Sequence, residues 1–268
     1  MSFKSVSLLF ISMLLLTFSC LDASSNENSA LINIYLIDAP GDFDQAWIDI
    51  ERVEVFIQGG NSAGTKDWIP LDYVPTSNVI NVTSLVNGNQ LILGRSELPL
   101  GKISQIKLVL GEDHYLVKDG EQLALTLLDS ESQEPIIDVD YSLSGAMSYD
   151  ILLDMDLSKS IIADPAQENV FWLDPVMRSF ETGAVASISG KVTPIEAKPI
   201  VYAIIGEDSI STHTDDTGAF LFNGLQAGEY SIYISPRAPY LDSLTTVTTK
   251  IDSLSAMETI LLSTPDED

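Results

Sequence analysis

Apolar residues recur along this chain at every second position, in short runs divided by glycine and proline. Ile32, Ile34 and Leu36 fall on one strand face, and Ile106, Leu108 and Leu110 on another. The longest case is Met147, Tyr149, Ile151, Leu153, Met155 and Leu157, interleaved with Ser148, Asp150, Asp154 and Asp156. A period of two over this length predicts a long antiparallel strand with one face in water. Between Trp47 and Ile57 the period slips, because Ile48 and Ile50 are out of phase with Val53, Val55 and Ile57. One extra residue, a β-bulge near Glu51 and Arg52, brings both sets to one core. Pro40-Gly41, Gly59-Gly60, Pro99, Gly101, Gly120 and Gly145 mark turns between runs. Thr83 to Val86 is the one stretch that suits a helical turn. The fold class predicted is all-β, with two antiparallel β-sandwich domains in tandem.

The amino terminus follows a different rule. Lys4 precedes an apolar run, Val6 to Phe18, too short to span a bilayer comfortably but suited to a signal-peptide core. The run stops at Ser19-Cys20, and Cys20 is the only cysteine in the chain. This resembles a lipobox, with Thr17 standing where the strict pattern has leucine and Leu16 one place off. The resemblance implies removal of residues 1–19 by signal peptidase II, a diacylglyceryl thioether on Cys20 and an acylated new amino terminus. Two or more acyl chains anchor stably where one does not. Residues 20–30 are small and polar and read as a tether. The expected location is the cell envelope, lipid-anchored at the outer membrane. Asp22 alone behind the cysteine leaves the periplasmic or surface face open.

The strand-rich remainder divides into 31–181 and 184–264, with a short linker at Glu181-Thr182-Gly183 and an acidic tail after Ser263. An apolar share of 45% is enough for a buried core. Thirty-nine acids against 13 bases give a net charge of −26. Scattered bases in such a field cannot form a nucleic-acid footprint, and the field repels anionic lipid surfaces. One cysteine and two histidines, His114 and His213, exclude an intrachain disulfide and Cys/His zinc clusters. No cofactor is expected.

In the second unit, Ile188-Ser189-Gly190-Lys191-Val192 is followed by Pro199-Ile200-Val201-Tyr202-Ala203. Then comes the run from Thr214 through Asp215, Gly218, Phe220, Phe222, Leu225 and Gly228 to Tyr230. Asp215 and Gly218 suit a tight turn, with Gly free to take positive φ. Phe220 and Phe222 then face the core, Leu225 closes its edge, and Tyr230 and Ile232 return beside it. This resembles the carboxypeptidase regulatory-like domain, a transthyretin-like sandwich grouped with carbohydrate-binding-like folds. The resemblance implies a fold and no peptidase activity. In the first unit, Leu36-Ile37-Asp38-Ala39-Pro40-Gly41-Asp42-Phe43 is followed by Val53-Glu54-Val55. Leu98-Pro99-Leu100-Gly101, Ile106-Lys107-Leu108 and Leu173-Asp174-Pro175-Val176 come after it. In this order they resemble the bacterial envelope family catalogued as domain of unknown function 4382. That resemblance implies a secreted or lipid-anchored β domain and brings no catalytic residues.

Candidate chemistry is thin. Asp38, Asp42 and Asp44 crowd one segment and offer hard oxygen ligands to Ca²⁺, but turn formation explains them without a metal and the spacing is not that of an EF-hand, so no metal is expected. Asp150, Asp154 and Asp156, and likewise Asp138 and Asp140, read as solvated strand faces rather than a glycosidase pair. Trp47, Trp68 and Trp172, with Tyr115, Tyr141 and Tyr233, are candidates for stacking on sugars. No residue is assigned a catalytic role. The leading reading is a non-enzymatic, lipid-anchored envelope protein that binds a glycan or an envelope protein. A structural spacer or assembly component is the alternative, and a carboxylate-dependent hydrolase the third. Metabolic labelling with a clickable fatty acid is expected to mark the wild-type chain and leave Cys20→Ala unmarked. Equal labelling of the two contradicts lipidation at Cys20.

Overall fold

The structure is a computed structural model, and it describes residues 28–39, 43–58, 68–86, 88–182, 185–206 and 208–265. Cys20 and Asp42 lie outside the described residues, and of Asp38 only the strand backbone is described.

Strand is the dominant element among the described residues. In order come β1 (Ser29–Ala39), β2 (Gln45–Gln58), β3 (Trp68–Pro70), β4 (Val79–Asn81), β5 (Leu91–Pro99), β6 (Lys102–Leu110) and β7 (Tyr115–Lys118). These are followed by β8 (Glu121–Leu127), β9 (Ile136–Ser142), β10 (Ser148–Asp156), β11 (Ile161–Ala163), β12 (Phe171–Leu173) and β13 (Met177–Glu181). The predicted turn of helix exists as a 3₁₀ segment, Val82–Ser84, and a second single turn, Leu157–Ser160, follows β10. Two sheets enclose the first core. One has the order β13-β10-β1-β5; the other runs β11-β12-β8-β7-β2-β6-β9, with β3 and β4 also paired to β2. Ile32, Ile34 and Leu36 of β1, with Ile151, Leu153 and Met155 of β10, meet Ile48, Ile50, Val53 and Val55 of β2 and Leu108 and Leu110 of β6 in that core.

The slip in β2 resolves as the phase of its apolar residues demands. Its register with β6 shifts between Ile50 and Arg52, so Ile50 and Val53 both point inward although three residues apart. The strand therefore carries one core face along its whole length.

The second core is built by β14 (Ala186–Thr193), β15 (Ile200–Ile205), β16 (Asp208–His213), β17 (Ala219–Leu225), β18 (Gly228–Ser235), β19 (Ser243–Thr249), β20 (Leu254–Ala256) and β21 (Ile260–Leu261). One sheet is β17-β14-β20 with β21 also on β14, and the facing one is β16-β15-β18-β19. Between them lie Ile188, Val192, Val201, Phe220, Phe222, Tyr230, Ile232 and Ile234. The turn ahead of β17 is closed by Asp215, whose Oδ1 accepts from the Thr217 and Ala219 N–H groups, and Gly218 sits at φ +81°.

Two expectations need correction. Pairing is not uniformly antiparallel, since β1–β10, β8–β12, β14–β20 and β14–β21 run parallel. The polar face of β10 is only partly in water: Ser148 is exposed and Asp150 half-buried, but Leu152, Asp154 and Asp156 are all buried. A period of two marks two faces but does not say what lies against the polar one. Here the second β unit covers it, with Ile210, Ser211, Asn223 and Phe222 beside Leu152 and Asp154. By contrast Asp138 and Asp140 on β9 are exposed, as solvated acids should be.

Phe220 is 2% exposed and rests edge-on against Phe222, with ring centroids 5.9 Å apart. Phe220→Ala is expected to destabilise the second core by about 3–5 kcal/mol, read as the shift in its urea or thermal transition. An unchanged transition contradicts this placement.

Candidate functional site

Three features gather the polar and aromatic chemistry of the described residues. The first is the joint between the two β units. Asp154 stands opposite Arg178 across the β10–β13 pair. The guanidinium reaches one carboxylate oxygen twice, Nε at 2.7 Å and Nη2 at 2.5 Å from Oδ2. The same side chain continues into the second unit, donating to the Gly224 carbonyl from Nη1 (3.3 Å) and to the Asn223 carbonyl from Nη2 (3.4 Å). Burial pushes the Asp154 carboxyl above its usual range against the opposing pull of Arg178. Gly224 holds φ +71°, and a Cβ there would fall 2.1 Å from the Phe180 ring. Lys159 adds a second tie, bonding Asp156 at 3.0 Å and the Ser209 carbonyl across the joint at 2.6 Å. A cleft of about 470 Å³ opens beside these contacts, lined by Phe180, Ile205, Leu225, Tyr230 and the stems of Lys159 and Arg178.

The second feature is a charged cluster on the outer face of the larger sheet. Lys107 bonds Glu54 at 2.9 Å and Glu134 at 3.2 Å, Arg52 bonds Glu54 at 2.7 Å, and the Lys107 ammonium lies 4.7 Å above the Trp68 ring. Burial raises the Glu54 carboxyl, but hydrogen bonds from Lys107 and Arg52 outweigh it and hold it below the ordinary range. Trp68 also packs edge-on against Phe56, so both aromatic and cation are taken up locally.

The third feature is an aromatic face on the other half of that sheet. Ala46 and Ile48 are buried while Trp47 between them is half-buried, so Trp47 points away from the core. It stacks on Tyr115 of β7 with centroids 5.6 Å apart and planes 14° apart. On β8, Leu123 and Leu125 are inside while Gln122, Ala124 and Thr126 are exposed. On β12, Phe171 and Leu173 are inside and Trp172 is outward, paired with Thr126 on one side and Ile162 on the other. Trp47, Tyr115 and Trp172 therefore share one face. Trp68 does not join them: its partner Phe56 lies nine residues along β2 from Trp47, about 30 Å of strand. Tyr141 is turned to the interior, its hydroxyl 3.0 Å from Ser179 Oγ, and Tyr233 lies on the second unit with its hydroxyl on Asp242. Asp44 is exposed, and no cluster of metal-ligating side chains occurs among the described residues.

His114 borders an open hollow of about 480 Å³ with Tyr115, Gln122, Ala124, Glu112 and Asp113. Its Nδ1 accepts the Asp49 N–H at 3.0 Å, so Nε2 carries the proton of the neutral ring, and that atom is itself buried. Burial pushes the imidazole below its usual value, against the pull of Asp49. Nothing in the sequence signals that Asp49, sixty-five positions away, holds the ring.

A family described as Domain of unknown function (DUF4382) matches residues 29–175. No curated protein matches. Among solved structures, the minor pilin GBS52 of Streptococcus agalactiae is 10% identical, with 88% of this chain and 97% of that chain covered at a TM-score of 0.25. The shaft pilin SpaA of Lactobacillus rhamnosus GG is also 10% identical, with 90% and 99% covered at 0.26. A leucine-rich repeat protein of Bacteroides thetaiotaomicron is 11% identical, and the match spans 87% of this chain but 26% of that one at 0.20. Scores this low carry no functional argument.

Removing one member of a buried ion pair leaves an uncompensated charge, whereas replacing both with apolar groups is close to neutral. Arg178→Met is expected to destabilise the chain by about 3 kcal/mol, and Asp154→Leu combined with Arg178→Met to recover most of that loss. Denaturant midpoints of the two variants check this; equal loss in both contradicts a pairing role.

Proposed function

The chain belongs to the DUF4382 family, and on that premise we propose that it is a non-enzymatic, lipid-anchored module of the cell envelope that binds a glycan or an envelope protein. The lipid on Cys20 holds it at the outer membrane, residues 20–30 form the tether, and 31–181 and 184–264 are its two folded domains. The second of these we read as carboxypeptidase regulatory-like, a reading supported by the two facing sheets of β14–β21.

The observation that carries the non-enzymatic reading is how the buried ionisable groups are employed. Asp154 is held by Arg178, Asp156 caps the Leu157–Ser160 turn through the Lys159 N–H, and Glu54 is held by Lys107 and Arg52. His114 accepts a backbone N–H. Each is a structural partner, whereas acid–base catalysis requires a group left to exchange protons with a substrate. The binding reading rests on the outward aromatic face of the first unit. The spacer reading draws on the joint, where Arg178 and Lys159 tie one unit to carbonyls of the other.

The full chain is expected to turn over no glycoside, ester or peptide substrate. Reproducible turnover abolished by Asp154→Asn, Asp156→Asn or Glu54→Gln contradicts the proposal.

A further inference from the structure

We propose that the outer face of the larger sheet, between Tyr115 and Trp172, is a binding trough for an uncharged glycan. This rests on the binding reading above and gives it a place and a ligand class.

Four observations converge. First, the register sets the walls. Tyr115 on β7 pairs with Ala124 on β8, and Thr126, two positions on, pairs with Trp172 on β12. Two inter-strand steps, roughly 10 Å, separate the strands of the two aromatics. The floor between them consists of Ala124 and Thr126, both exposed and both small. Aromatic walls over a low floor make a slot about as wide as one sugar ring, whose C–H faces pack on aromatic planes.

Second, the near wall is braced. Trp47 backs Tyr115 in a nearly parallel stack and is itself fixed by its indole N–H on Gln45 Oε1 at 2.8 Å. The stack leaves Tyr115 little rotamer freedom to lose on binding. Third, the hollow of about 480 Å³ at Tyr115 and Ala124 falls in the size range of small-ligand sites and is rimmed by Gln122, Glu112 and Asp113. Asp164 lies in the loop that follows β11, at the Trp172 end. Its carboxylate is held below the usual range first by the Ala166 N–H and also by Trp172.

Fourth, the charge selects the ligand. The rim offers carboxylates and an amide, which accept hydrogen bonds from hydroxyl groups. The same carboxylates, in a chain of net charge −26, repel uronic acids, sulfated sugars and nucleic acid. A polyhydroxylated neutral chain satisfies both conditions.

The test is native affinity electrophoresis of the full chain in detergent, through gels holding laminarin, xylan, mannan or soluble starch, with alginate as the acidic control. At least one neutral polysaccharide is expected to retard the wild type, and alginate is expected not to. Trp172→Ala removes a wall, and Ala124→Trp fills the floor while keeping every aromatic. Each is expected to weaken retardation at least tenfold, with an unchanged thermal transition. Trp68→Ala, on the distant half of the sheet, is expected to bind as wild type. Retardation that survives both Trp172→Ala and Ala124→Trp overturns the trough but leaves glycan binding standing. No retardation by any neutral polysaccharide overturns the glycan assignment. Capture of an envelope protein that Ala124→Trp blocks overturns it in favour of a protein ligand on the same face.

Discussion

A carboxylate with no access to water must find a cation, and Asp154 finds Arg178. Much of the arrangement follows from that need. Arg178 lies one strand over because β13 pairs with β10 in the register that sets the two side chains opposite each other. Its remaining N–H groups point away from the first unit, and the Asn223 and Gly224 carbonyls of β17 receive them. The chain can approach that closely only because position 224 has no side chain to collide with Phe180. The pair, with its carboxylate buried and its guanidinium 35% exposed, itself contributes little net stability. Its effect is on specificity, since a displaced second unit would leave the guanidinium without its outer acceptors and the carboxylate exposed or unpaired.

Most of the fold was legible in the sequence, and the reason is visible in particular residues. The out-of-phase sets in β2 have one physical solution, and the shift between Ile50 and Arg52 is that solution. Asp215, Gly218, Phe220 and Phe222 describe a turn and a core strand by local chemistry alone. Pairing partners were less legible. Ile32 to Leu36 shows the same period whether its neighbour runs parallel or antiparallel, and β10 in fact lies parallel to it. Asp150, Asp154 and Asp156 look like a wet face because alternation reports polarity, not coverage. The signal that contradicts it, an arginine twenty-four positions later, becomes meaningful only once β13 is known to be the neighbour of β10.

The aromatic face was legible only as a list of residues. Trp47, Trp68 and Trp172 are equivalent in sequence, yet the topology separates them by what surrounds each ring. Trp68 is engaged by Lys107 and Phe56. Trp47 and Trp172 come to one face because β7 and β8 insert between β2 and β12. Small side chains at 124 and 126 keep the space between them open. The acidic surface, uninformative about fold, narrows what that space can hold.

The ties that Arg178 and Lys159 make across the joint imply that the two β units move as one body. Residual dipolar couplings measured on the full chain test it most directly. A single alignment tensor fitting amides of both β1–β13 and β14–β21 is the predicted result. Two tensors of different magnitude or orientation, one for each unit, would contradict it.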